Sequence, residues 1–79
     1  MSLYALRAET ATQKLGAPVW YRFWTQIGPC CTSKEDKRAL FHTKEDAMSS
    51  QAFVFPLEFF EPVELPDGAS GDLNWNKTS

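Results

Sequence analysis

A chain of 79 residues, 43% hydrophobic and 14% aromatic, has material for one thin core and excludes a second domain. Ten acidic against eight basic residues leave a formal charge of −2, which excludes electrostatic capture of nucleic acid and is too weak to mimic a duplex. No apolar run approaches the roughly 18 residues that span a bilayer, and the start Met1-Ser2-Leu3-Tyr4 lacks the basic and long apolar regions of a secretory signal, so a cytoplasmic protein with no membrane segment is expected.

The first strand is expected over residues 3–9, where Tyr4, Leu6 and Ala8 alternate with Leu3, Ala5 and Arg7. Residues 10–18 contain small and polar side chains with Gly16 and Pro18, and predict a loop. Residues 19–27 are the strongest strand, crowded with β-branched and aromatic side chains. Strict alternation would place Val19, Tyr21, Phe23, Thr25 and Ile27 on one face, and Trp20, Arg22, Trp24 and Gln26 on the other. Gly28-Pro29 predicts its end, followed by a polar loop over residues 30–37 in which any helical turn around Glu35 remains a turn. A short third strand is expected over residues 38–42.

A helix-start signal follows. The Thr43 hydroxyl can accept from the backbone N–H of Asp46, and the Asp46 carboxylate can return the bond to Thr43, which places the first helical residue at Lys44. Glu45 and Asp46 then meet the positive end of the helix dipole. Ala47, Met48, Gln51, Ala52 and Phe55 would share one stripe, with the helix ending near Gln51 or Ala52 because Pro56 disfavours helical geometry at Phe55. A last strand is expected from residue 57 to 61, extending toward Val63 and Leu65. Pro56 and Pro62 lack the N–H of a central ladder, so this strand is expected at a sheet edge or to pair only in part. The elements run β-β-β-α-β: an α+β domain over residues 1–65, with a small, mainly antiparallel sheet and one helix packed across one face. Residues 66–79 read as a mobile polar tail with one anomaly, Trp75.

Few residues point to chemistry. Cys30 and Cys31 are adjacent, and neighbouring thiolates on extended chain point apart, so neither a disulfide framework nor a metal site is expected and reduced thiols are. His42 is the only histidine, and the sequence places no nucleophile or carboxylate partner beside it. Phosphate-binding glycine loops and hydrolase or metalloprotease motifs do not occur, so no enzyme activity and no cofactor are expected. Trp20, Arg22 and Trp24 would form an aromatic strand face. Such a face suits a protein hot spot, or alternatively base stacking in a nucleic-acid-binding accessory domain. Residues 58–79 carry −4 of charge against +2 for residues 1–57, and Glu58, Glu61 and Glu64 form the candidate second half of a partner-binding surface. The ordinary alternative for that series is a solvated edge that prevents strand aggregation.

The run Ala39-Leu40-Phe41-His42-Thr43-Lys44-Glu45-Asp46-Ala47, between an aromatic strand and Phe59-Phe60-Glu61-Pro62-Val63, resembles a junction found in small phage and prophage proteins. In these a strand ending Phe-x-Thr is capped into a helix beginning Lys-Glu-x-Ala. The resemblance covers about residues 19–65. Acidic proteins of this size and style include anti-CRISPR inhibitors that act by binding, and the resemblance therefore implies a protein that occludes a host protein or ribonucleoprotein complex, as a monomer or weak homodimer. Direct nucleic-acid binding is not expected on that reading.

Overall fold

The computed structural model of the chain describes residues 2–54 and 58–73. In order it forms β1 (Leu3–Ala8), α1 (Glu9–Leu15), β2 (Trp20–Thr25), β3 (Gly28–Thr32), a 3-10 turn over Glu35–Lys37, α2 (Lys44–Met48) and β4 (Phe60–Leu65). The strands make one antiparallel sheet in the order β3-β2-β1-β4, so the fold is α+β. Among the described residues no helix is long and apolar enough to cross a membrane.

Among the described residues two helices are present where the sequence predicts one. Residues 10–18 are not all loop: α1 places Glu9 in its first turn and Lys14 in its last, matching the helix dipole. It stops at Gly16, whose φ of 79° suits glycine and whose N–H bonds back to the Thr12 carbonyl. The Gly-Ala-Pro run that reads as a loop is thus the stop signal of a helix. Its N-cap, Ala8, offers no side-chain acceptor; Glu58 supplies one to the Thr10 N–H at 3.0 Å from far along the chain.

The third strand is also different. Gly28–Thr32, expected as turn and loop, is β3, returning along β2 in a hairpin whose ends pair Thr25 with Gly28. Residues 38–42 form no ladder strand. They lie across a split between β1 and β2, which pair only at Arg7 and Trp20. Tyr4 and Phe41 exchange two backbone hydrogen bonds of 2.9 and 2.8 Å, and the Ala39 N–H donates to the Tyr21 carbonyl at 2.8 Å. Beyond Tyr21, β2 has only β3 as ladder partner among the described residues.

The start of α2 agrees with the capping signal: Thr43 Oγ1 accepts from the Asp46 N–H at 3.0 Å. Among the described residues the return bond from Asp46 is absent. The helix ends at Met48, earlier than expected, because the Ser49 and Ser50 hydroxyls donate to the carbonyls of Glu45 and Ala47 and compete with its continuation. Ala47 is buried while Met48 is exposed, and Ala52 is buried in the turn that follows. The expectations for Phe55 and for Leu57 at the start of the last strand lie outside the described residues. With a five-residue helix so dependent on its cap, Thr43→Ala is expected to lower the unfolding free energy by about 1 kcal/mol in urea denaturation, and Thr43→Ser to preserve it.

Each sheet face has its own apolar cluster. Leu6, Ala8, Tyr21 and Phe60 meet Ala47 and the partly buried Ala11, so both helices cover the same face. On the opposite face Ala5, Trp20 and Leu40 pack with Leu3, Val63 and Leu65. That face is covered by residues 66–73, the first part of the expected tail, through a parallel bridge of Asp72 to Ala39. The edge strands β3 and β4 contain Pro29 and Pro62, which lack ladder donors and blunt edge-to-edge pairing; the expectation that β4 is an edge strand agrees with this order.

Candidate functional site

Regular alternation along β2 is broken by a bulge. Tyr21 pairs with Cys31 and Phe23 with Cys30, leaving Arg22 as the extra residue. Every side chain after it changes face, so Tyr21 and Trp24 both pack on the helical cluster while Trp20 joins the opposite one. Trp20, Arg22 and Trp24 therefore do not share the expected face. A one-residue insertion of this kind leaves no local mark in the sequence beyond a strand that is apolar on both sides.

Trp20 is only 5% exposed. The Arg38 guanidinium lies 4.6 Å from its ring centroid, donates from Nε to the Ser70 carbonyl at 2.9 Å, and reaches Glu35 at 3.6 Å. Burial pushes the Arg38 pKa down, against the attraction of Glu35. The guanidinium nevertheless keeps its charge at any physiological pH. A stacking cation and a covering loop thus occupy the position where a base or a partner would meet Trp20.

What remains accessible is the outer half of the β2–β3 hairpin. Arg22 sits over the Phe23 ring at 5.0 Å, and both residues are half-buried, as is Trp24. The tip turn of Gln26 and Ile27 is fixed by Thr25, whose hydroxyl donates to the Gly28 carbonyl at 2.7 Å and accepts from the Ile27 N–H at 3.3 Å. Gly28 completes the turn at a φ of 128°, a conformation L side chains resist. Ile27 is 97% exposed at the tip. A β-branched apolar side chain held fully in water, at the tip of a hairpin that also carries an arginine and two aromatics, gives the arm the composition of an interface hot spot. Neither Phe23 nor Ile27 is singled out by the sequence, because Gln-Ile is not one of the glycine- or asparagine-containing pairs that mark two-residue hairpin turns.

The acidic candidates separate in the same way. Glu58 accepts from the backbone N–H groups of Thr10 and Phe59, at 3.0 and 3.1 Å, and so serves α1. Glu61 bonds Arg7 at 3.0 Å, and Arg7 also bonds Glu9 at 2.8 Å. The hydrogen bond to Arg7, with a further contribution from Glu61, holds the Glu9 carboxyl below the ordinary carboxylate range, while Glu9 and then Glu61 raise Arg7. Glu64 is exposed opposite Tyr4, on the other face from Glu61. Both lie on β4, at the opposite edge of the sheet from β3.

The cysteines fall on β3. Desolvation, then the proximity of Cys30 and Glu58, push the Cys31 thiol up to about 11, which leaves it protonated at neutral pH and weak as a nucleophile. His42 is exposed where α2 begins. Among the described residues no three His, Cys, Asp or Glu side chains gather closely enough to hold a metal ion. Trp75 lies outside the described residues. Comparison with protein-family models, curated proteins and solved structures gives no match, so the geometry of the hairpin arm is what bears on function.

Proposed function

We propose that the protein is a non-catalytic binding protein of the bacterial cytoplasm that occludes a functional surface of a host protein or ribonucleoprotein complex, with anti-CRISPR-type inhibition as its most concrete form. The observation that carries this reading is the two-stranded arm with Ile27 97% exposed at its tip and with Arg22, Phe23 and Trp24 half-buried along the same strand. An isolated hairpin is marginal in water, so a projecting arm with an apolar tip is costly unless the tip is used. A protein partner suits it better than nucleic acid, because Trp20 and Trp24 lie on opposite faces and offer no two-ring stacking platform.

Expression in a bacterium with active CRISPR interference is expected to restore plaquing of a targeted phage. Ile27→Asp is expected to abolish that effect while shifting folding stability by no more than about 0.5 kcal/mol, as for other exposed substitutions. Plaquing that is unaffected by the protein, or restored equally by the variant, would overturn the proposal. Tight, salt-sensitive binding to a single-stranded oligonucleotide, lost on Trp24→Ala, would favour a nucleic-acid-binding accessory domain instead.

A further inference from the structure

We propose that residues 66–73 form a strap that opens and closes over Trp20, Arg38 and Leu40 as a unit smaller than the whole fold. Three of its hydrogen bonds converge on three consecutive residues, 38–40. The Leu40 N–H donates to the Asp72 carbonyl at 3.0 Å, the Asp72 N–H donates to the Arg38 carbonyl at 2.8 Å, and Arg38 Nε donates to the Ser70 carbonyl. Every strap residue is exposed or half-buried, so the strap is held by hydrogen bonds and close backbone approach, with little apolar burial of its own.

The closed state serves two polar groups poorly among the described residues. Trp20 Nε1–H is buried with no acceptor there, and the Arg38 guanidinium, stacked on the Trp20 ring, is withdrawn from water with one backbone carbonyl and a long ion pair in return. Opening returns both to solvent, which offsets the hydrogen bonds that are lost. Small net differences of this kind are what make an element bistable.

The other side of the same segment is anchored differently. Ala39 and Phe41 point their N–H groups the opposite way, to Tyr21 and Tyr4 in the sheet. The strap can therefore leave while residues 39–41 stay in place and the four strands remain paired. Gly68, at a φ of 85° just beyond β4 and a turn in which the Ala69 N–H meets the Pro66 carbonyl, supplies a hinge. Opening uncovers Trp20 and Arg38 on a face away from the helices, so access to this aromatic and arginine pair is controlled by the chain itself.

Hydrogen exchange of the intact chain, followed by NMR, tests this. The amides of Leu40 and Asp72 and the indole N–H of Trp20 are expected to share one protection factor, lower by about tenfold or more than those of Ala39 and Phe41 and insensitive to low urea. A Cβ at Gly71 would collide with the Leu40 side chain, at a backbone φ of 154° that L residues resist. Gly71→Ala is thus expected to speed exchange at the three strap-linked groups and leave Phe41 unchanged. Equal protection and equal urea dependence at all five groups in the wild type, or equal acceleration at Phe41 in the variant, would overturn the strap and make residues 66–73 part of the global unit.

Discussion

Phe60→Ala is expected to remove about 3–5 kcal/mol of folding stability, a large part of the roughly 5–15 kcal/mol available to a small domain. Phe60 is 1% exposed at the start of β4 and stands edge-on to Tyr21, with ring centroids 5.7 Å apart and planes at 75°. It packs where strands from both ends of the chain meet the helical layer, so removing its ring leaves a cavity that the sheet cannot close by a local shift. Its neighbour Phe59 is 66% exposed, and Phe59→Ala is expected to change stability by no more than about 0.5 kcal/mol. Urea denaturation of the two variants gives the contrast directly. A loss under about 1 kcal/mol for Phe60→Ala would contradict the cavity argument.

Alkaline unfolding is the second large effect. Burial, followed by the proximity of Cys31 and Cys30, raises the Tyr21 phenol from an ordinary 10.0 to about 12, and the Cys31 thiol rises from 9.0 to about 11. In each case the folded protein holds a proton that the unfolded chain releases at lower pH. The associated stability is therefore full below the ordinary values and is lost as pH rises through 9.0 and 10.0 toward about 11 and about 12. For the buried phenol the whole loss amounts to about 3 kcal/mol. Urea midpoints measured from about pH 8 to about pH 12 should fall steeply, and Tyr21→Phe should make the upper part of that fall shallower. A wild-type midpoint that stays level over this range would show that the phenol is solvated.

The contrast between Phe59 and Phe60 marks where local reasoning stops. Alternation states that the two point to opposite sides, and only the pairing of Ala8 with Phe60 decides which side is the core. The capped start of α2 was legible because the Thr43 hydroxyl reaches the Asp46 N–H, three residues on, within one local turn. The edge position of β4 was legible from Pro62, since a missing N–H excludes a central ladder wherever the strand lies. In α1 the stop signal at Gly16 was present, but the cap on its first turn comes from Glu58, which no local pattern connects to Thr10.

For the candidate site, composition points to the aromatic strand as the unusual element, and Arg22 and Trp24 belong to the surface proposed above. Trp20 does not, because the bulge at Arg22 inverts the face order and Arg38 stacks over the ring. The acidic series forms one strip in the sequence, yet Glu58 is engaged by α1, Glu61 by Arg7, and Glu64 faces the other way.

The sequence by itself determined an α+β domain, the origin of α2, an edge strand near the C-terminal end and the strong β2, since each depends on backbone constraints or side chains a few residues apart. Tertiary structure alone decided that Gly28–Thr32 returns as a strand, that residues 38–41 fill a split instead of forming one, and that Ile27, among several exposed apolar side chains, stands at the tip of a hairpin. Those outcomes follow from competition among distant segments for the same ladder donors and the same apolar faces. That competition is settled by which pairing buries most while leaving fewest polar groups unmet.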